Sequence, residues 1–432
     1  MKKIALIIFC LIIFPFNAYS VTLKSALKLS YENNLELQAE RKNLEVQKEV
    51  LNISKSDFLP TMTLTGKKNF EETHELTKQT GGDASIKDVD TLSSSIKIEQ
   101  TLLDGQGRDA EYEKSKLGLN LSEAQLIKKE QDVFMKAIEA YTGLILAYEK
   151  LSINEENVSL LQRQFDIDNA RLSRAQITAT DLAQSQSSLS GAQAGYIGAQ
   201  NYIITSKLAY ENIIGPINSN EKLKKIYNSE VPLPSSLVDA KKISEQKSPD
   251  LIIAEIEYGQ SELDVKIARS DLSPTAKLSL ERSYTDDLSA TYDEREKDVL
   301  QATVSWPFQF GGKNKSNINK NLQVKGMKKL LLENAFRNNT QGVTAAWSTL
   351  ESSKSLLRAV QSQVKAAEIA NEGISFEYES GLNRSTFDVL QSRSNLINAK
   401  INLAEAERNY LLAQYRLLKS AGLLNSEYLK LR

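Results

Sequence analysis

The chain has 432 residues, 25% of them charged, and a formal net charge of −1, so its overall balance advertises no nucleic-acid surface. A single cysteine, Cys10, and a single histidine, His74, exclude a disulfide framework and most zinc, thiol and histidine-base arrangements. With only 19 glycines and 8 prolines, the composition favours long uninterrupted helices over a loop-rich fold.

The N-terminus reads as a targeting segment. Lys2 and Lys3 precede the apolar run Ile4–Phe16, which is too short to span a bilayer as a mature helix. Ala18-Tyr19-Ser20 then supplies small residues for cleavage after Ser20, which predicts a signal peptide over residues 1–20 and an exported chain. An uncleaved anchor is the alternative. Cys10 lies inside that leader, too early for lipidation. His74 sits in the polar stretch EETHELTKQTGGD, where a lone histidine is an ordinary solvated side chain.

Beyond the leader the chain says everything twice. SDFLPTMTLTG at Ser56–Gly66 returns as SDLSPTAKLSL at Ser270–Leu280, an offset of 214, with Pro60 meeting Pro274. Later matches run at 206 to 207: Gly105 meets Gly311, Ala140-Tyr141 meets Ala346-Trp347, and Gly215 meets Gly422. The predicted organisation is therefore one repeat over 21–215, a linker over 216–234, a second repeat over 235–422 and a tail over 423–432.

Each copy opens with a predicted helix, Tyr31–Lys55 and Ser244–Arg269, and then enters a strand at its proline. In Thr61–Gly66, Met62 and Leu64 alternate with threonines. In the next strand Leu92, Ile96, Ile98 and Leu102 face away from Ser93, Ser95, Lys97, Glu99 and Thr101. In copy two, Leu300, Ala302, Val304, Trp306, Phe308 and Phe310 alternate with polar residues and Pro307. Runs of about ten residues, apolar on one side only, have the length and period of transmembrane barrel strands. A half-buried strand of a soluble sandwich is the alternative, but two hairpins find no second sheet to cover them. The hairpin tips, Glu71–Asp90 and Asp286–Asp298, are long, polar and acidic. Each copy leaves its second strand through glycine, in DGQGR and FGGKN.

The helices that follow carry heptads. In the last one, Val389, Leu396, Leu403, Tyr410 and Leu417 form a large row, and Ser392, Ala399, Ala406, Ala413 and Ser420 a small one. Copy one repeats this as Leu182, Leu189, Tyr196, Ile203, Tyr210 with Ser185, Ala192, Ala199, Ser206, Ile213. The preceding helices give Val343, Leu350, Leu357, Val364 with Ala346, Ser353, Val360, Ala367, and Ala137, Leu144, Leu151, Val158 with Ala140, Ala147, Asn154, Leu161. Such rows mean knobs-into-holes packing. Tyr141 and Trp347 are read as packing residues of these helices. A helix over Gly107–Ser173 spans on the order of 100 Å, its return partner Asp181–Ile214 covers half of that, and the incoming helix fills the remainder. Four strands cannot close a barrel, and an open edge in lipid leaves backbone groups unpaired, so the chain must oligomerise.

These pieces, in this order and twice over, resemble the TolC-like outer membrane efflux protein family. The resemblance covers nearly all of the mature chain and rests on TLKSALKLSYENN, SDFLPTMTLTG, VSWPFQFGGK and GLNRSTFDVLQSRSNLINAK. It implies a mixed α and β membrane protein: a homotrimer with a twelve-stranded outer-membrane barrel, four strands per chain, continued by a long periplasmic α-helical barrel with an equatorial belt of linker and tail. The implied function is a passive exit duct in the outer membrane of a Gram-negative bacterium, docking on a periplasmic adaptor and an inner-membrane pump, ABC or proton-driven, and releasing drugs or secreted proteins. It also implies a gate at the helix turns, Arg174–Thr180 and Glu379–Ser385, carried by Tyr378, Asn383, Arg384, Asp388 and Gln391 in copy two and Asp181 in copy one. Three copies of Asp388 would form an acidic ring attractive to cations. Asp388 and Asp181 also sit where helix-capping residues belong, beside Thr180 and Thr386, and the two roles can coexist. Trp306 and Phe308 are expected as membrane-interface anchors.

Two other function classes compete. A periplasmic coiled-coil adaptor or tether would need soluble β-domains and a single helical hairpin. An enzyme would need a pocket around paired carboxylates such as Asp286-Asp287, which lie in a polar loop. No cofactor or metal is expected.

Overall fold

The structure is a computed structural model that describes residues 21–72, 89–217, 223–286, 293–308, 310–382 and 384–431. The expected leader, His74, Asp287 and Asn383 lie outside the described residues. The elements, in order, are α1 (Leu23–Asn33), α2 (Leu35–Ser56), β1 (Thr61–Glu71), β2 (Val89–Leu103), α3 (Gly107–Ser173) and α4 (Ala179–Ile213). Then come α5 (Leu237–Lys247), α6 (Pro249–Ser270), β3 (Thr275–Asp286), β4 (Glu294–Ser305), α7 (Lys313–Glu379) and α8 (Thr386–Ser420). The order is stated twice, and corresponding helices have equal lengths of 11, 22, 67 and 35 residues. Among the described residues no helix is long and apolar enough to cross a membrane.

One expectation is corrected at the start of each copy, where a single helix was predicted and two occur. Asn34 and Ser248 are extended, with ψ of 121° and 117°. Asn34 stops α1 and its side chain accepts the Leu37 N–H at 3.1 Å, opening α2. In copy two Pro249 has no N–H to give and forces its predecessor out of the helical region.

The chain divides into two compact units. One consists of Ala39–Leu126 and Pro249–Asn338. Its centre is an antiparallel sheet in the order β1-β2-β3-β4, so the two hairpins join through β2 and β3, and β1 and β4 are left as open edges. The register aligns the apolar sides of all four strands: Met62 opposes Ile98, Ile98 opposes Leu280, and Leu280 opposes Leu300. On the other face the matching row is Thr61, Glu99, Ser279 and Gln301. Among the described residues of this unit nothing covers the apolar face. Met62, Leu64, Leu300 and Val304 are 73–75% exposed at three positions and 72% at Leu300. β4 stops at Ser305, short of the predicted Phe310, because Pro307 cannot donate to the ladder and biases Trp306. The second hairpin tip is also shorter than predicted, since Glu294–Asp298 is strand. Helical segments of this unit are tied by polar contacts: Ser54 to Ser115 at 2.6 Å, Lys114 to Asp264 at 2.7 Å and Lys325 to Glu262 at 2.9 Å.

The other unit comprises residues up to Gln38, Ile127–Ser248 and Asn339–Arg432. Its helices bury the predicted seams. Every buried residue of α4, namely Ser185, Leu189, Ala192, Ala199, Ser206 and Tyr210, belongs to a heptad row. So do Val343, Leu350, Val360 and Val364 of α7. The largest core gathers Leu23 and Leu27 of α1, Phe134, Ile138 and Leu144 of α3, Leu412 and Leu418 of α8, and Leu424 and Leu429 of the tail. Described residues of the linker, Leu223, Ile226 and Val231, and of the tail thus pack against the helices. Tyr141, fully buried, has its hydroxyl 2.8 Å from the Val21 and Lys224 carbonyls. Lys225 reaches Glu149 and Glu407, both at 2.5 Å. Burial pulls the Lys225 ammonium down, but those two carboxylates outweigh it and hold it above the usual lysine range. Gly422 turns the chain out of α8 at φ 76°, and a Cβ there would lie 2.2 Å from the Lys247 carbonyl oxygen, so no larger residue fits.

Candidate functional site at the helix turns

The helix turns of both copies lie in the same unit. α3 ends at Ser173 and α4 starts at Ala179; α7 ends at Glu379 and α8 starts at Thr386. The caps are Thr178 and Ser385, two and one residues before the threonines expected at those starts. Each forms a capping box with the aspartate three residues on. Asp181 accepts from the Thr178 N–H at 2.9 Å and hydroxyl at 2.8 Å, and Asp388 accepts from those of Ser385 at 3.0 Å each. Both carboxyls are held below the ordinary aspartate range, first by the backbone N–H of the cap and then by its hydroxyl. Arg384 pairs with Glu377 at 2.5 Å, and that hydrogen bond raises its guanidinium further. Among the described residues Gln391 bonds along its own helix, to Asn395 at 3.1 Å.

Tyr378 is different from the other predicted residues. It is 3% exposed, and its hydroxyl donates to Asp168 Oδ1 at 2.6 Å, with Thr386 Oγ1 3.0 Å away. Asp168 is fully buried. Its carboxyl also accepts from the Ser185 hydroxyl in a very short bond and from Gln164 Nε2 at 3.0 Å. Arg171 lies with its guanidinium 4.1 Å from the Tyr378 ring centroid and donates to the Tyr378 carbonyl at 3.1 Å. Burial, then the bond to Asp168, pushes the Tyr378 hydroxyl above the usual tyrosine range, so it stays a donor. Hydrogen bonds to a carboxyl in a water-poor setting contribute roughly 1.5–3 kcal/mol each when the group is charged. The cluster therefore latches α3 and α4 of copy one to α7 and α8 of copy two.

Around the latch an open cleft of about 870 Å³ runs between the two turns, lined by Arg171, Arg174, Asp181, Gly381 and Arg384 among others. The turns differ in one backbone detail. Gly381 adopts φ 74° after α7, whereas its counterpart after α3 is Ala175 at φ 56°, a conformation an L side chain adopts at some cost. Trp306 and Phe308 belong to the other unit; their rings meet tilted, with centroids 5.0 Å apart, just past β4, and Trp306 donates to the Leu272 carbonyl at 3.0 Å.

Asp168, the centre of the latch, is absent from the predicted site. The signal for it was present. Adding seven to the row Ala140, Ala147, Asn154, Leu161 gives Asp168, and extending Val343, Leu350, Leu357, Val364 by fourteen gives Tyr378. A charged residue on a row that should be apolar marks a place where packing gives way to chemistry.

The profile of the family described as "Outer membrane efflux protein" matches residues 26–215 and 242–423. The chain is 25% identical over 417 residues to "Outer membrane efflux protein BepC" of Brucella suis biovar 1 (strain 1330), covering 96% of this chain and 88% of that protein. It is 22% identical over 421 residues to "Alkaline protease secretion protein AprF" of Pseudomonas aeruginosa, covering 96% and 87%. In fold it is similar to the Campylobacter jejuni CmeC outer membrane channel, with a TM-score of 0.82 at 16% identity, covering 93% of this chain and 86% of that one.

Proposed function

This chain belongs to the outer membrane efflux protein family and is an outer-membrane exit duct rather than an enzyme, and from that premise we propose that it works as a homotrimer closing a twelve-stranded barrel. The observation that carries this is the sheet: four strands, one face apolar and bare, both edges open. In lipid each unpaired edge group costs several kcal/mol, and only closure removes edges. Two copies would give eight strands, whose interior fills with side chains; three give twelve and begin to leave a lumen. Trp306 and Phe308, at the exit of β4, suit the headgroup level as interface anchors.

The helical unit then forms a periplasmic duct, with residues 216–234 and 423–432 as its belt and residues 1–20 as a cleaved leader. It meets a periplasmic adaptor and an inner-membrane pump. BepC is named for efflux and AprF for alkaline protease secretion; the cargo class of this chain is accordingly drugs or secreted proteins, moved passively. The helix turns serve as the gate. The Asp168–Tyr378 latch holds the two copies together at the turns, while Asp181, Asp388, Gln391, Asn383 and Arg384 are the exposed or neighbouring groups that three chains bring around the axis. The alternative, a periplasmic adaptor or tether without a channel, leaves the bare apolar row Met62, Ile98, Leu280 and Leu300 without a purpose.

The test is to purify the protein from outer-membrane fractions and record it in a planar bilayer. Discrete single-channel steps are expected. A protein that stays soluble in the periplasm and passes no current overturns the duct.

A further inference from the structure

The polar face of the sheet is not uniform along its height. Near the helical end, Lys97 pairs with Glu99 at 2.8 Å and Lys277 with the same carboxylate at 2.9 Å, and Glu281 directly opposes Lys97 in the register. Two lysines face two glutamates there, and the charge is balanced. Two rows farther along, the balance fails. One row runs Lys67, Ser93, Thr285, Arg295, and the row next to it runs Thr65, Ser95, Ser283, Lys297. These rows carry three cations and no carboxylate. Lys67, Arg295 and Lys297 are exposed, and among the described residues none has a carboxylate at ion-pairing distance. Glu281, one row toward the helical end and diagonal to Lys297, faces Lys97 across β2 and β3, and on β1 the nearest acid to Lys67, Glu71, stands four residues beyond it, about 13 Å along the strand. That exceeds the screening length of about 8 Å at physiological ionic strength.

The opposite face of the same strands treats its charges differently. Lys68 pairs with Asp90 at 2.6 Å, and Arg282 lies 3.4 Å from Glu296 and 3.8 Å from Asp298. On the otherwise apolar face these cations are neutralised, whereas on the polar face three are left open beyond the paired Lys97 and Lys277. The open ones also sit on the two edge strands, β1 and β4, the strands that any closing copy must adjoin. With three cations per chain, three chains bring nine onto one wall, and each seam sets the Arg295–Lys297 edge beside the next copy's Lys67.

We infer that Lys67, Arg295 and Lys297 form a cationic belt on the lumenal wall of the barrel that binds multivalent oxyanions, the shared chemistry of clustered carboxylates and phosphates, and so favours acidic cargo in the membrane segment. This rests on the exit-duct reading, which makes the polar face the lumen. Serine and threonine neighbours in both rows add hydroxyl donors to the fixed charge. The low-dielectric wall behind them focuses the field into the passage.

The experiment uses the full assembly in a planar bilayer with sodium tripolyphosphate added to either chamber. The wild type is expected to show concentration-dependent block that weakens by at least tenfold between 0.1 and 1 M KCl, as surface charges are screened. The triple variant K67Q/R295Q/K297Q is expected to raise the half-blocking concentration by at least tenfold, and the single changes R295Q and K297Q by a few-fold each, which keeps the test alive should the triple variant fail to assemble. Lys68→Gln, on the apolar face of the same strand, is expected to leave block unchanged. Channel steps without block in the wild type, equal block in the belt variants, or an equal effect from Lys68→Gln each overturn the belt alone. A preparation with no channel steps overturns the duct and the belt with it.

Discussion

The two helix turns are built on one frame and do different work. At the offset of 206 that aligns the heptad rows of α3 and α7, copy one places Gln164, Asp168 and Leu172 where copy two places Ala370, Ile374 and Tyr378. In copy two the seam is closed by one neutral bond, from Ser392 to Asn371 at 3.2 Å. In copy one, Ser185 at the position of Ser392 meets a buried carboxyl instead, and that carboxyl reaches across to Tyr378. A repeat supplies two hairpins of equal length; an aspartate where copy two has Ile374 ties the first hairpin to Tyr378 of the second. The comparison teaches that the polar latch lies in the departure from symmetry, whereas the symmetric frame is packing.

The comparison breaks most completely at Asp168. Asp168→Ala removes three hydrogen bonds and is expected to destabilise the turn by about 3 kcal/mol and to raise single-channel conductance several-fold. Asp168→Asn, which keeps an acceptor, is expected to show a smaller rise. Wild-type conductance in both variants would show that the latch is not the closure. Tyr378→Phe deletes one donor while keeping the ring beneath Arg171. It is expected to cost about 1 kcal/mol in thermal or denaturant unfolding and to give an intermediate conductance. Asn371→Ala at the symmetric frame of copy two is expected to cost less than that and leave the current unchanged.

Exchanging the backbone detail sharpens the same contrast. Ala175→Gly relieves a left-handed alanine and is expected to stabilise by up to about 1 kcal/mol, whereas Gly381→Ala introduces that strain and is expected to destabilise by about as much. Equal signs in a melting experiment would contradict the assignment. The smallest effect belongs to the caps. Asp181 and Asp388 have depressed folded pKa values, so the stability they add is present above the unfolded carboxylate range and is lost as pH falls through the folded value. Below about pH 4 the wild type should lose helix-turn stability. The double variant D181N/D388N should show a flatter acid profile, read by circular dichroism.

Much of this fold was legible because the seams are periodic. The heptad rows located the buried residues of α4 and α7, and the alternation in β1 to β3 located the two faces of the sheet. Alternation overshot at Trp306-Pro307-Phe308, where the ladder fails for want of an N–H even though the pattern continues. Periodicity also hid the breaks at Asn34 and Ser248, since both residues keep the helical rhythm on either side. Tyr378, Asp181 and Asp388 do lie at the ends of α7, α4 and α8 beside the helix turns, but all the residues expected there sit within a few positions of a turn. Asp168 lies inside a long helix, and only its partners in two other helices, Ser185 and Tyr378, give it meaning.

The central claim is that one chain brings only a third of a wall. Native mass spectrometry of the assembly extracted from outer membranes in detergent tests it directly. The account predicts a single dominant species of three chains that loses its mass as a unit on denaturation; a protein recovered as separate single chains with folded sheets would contradict it.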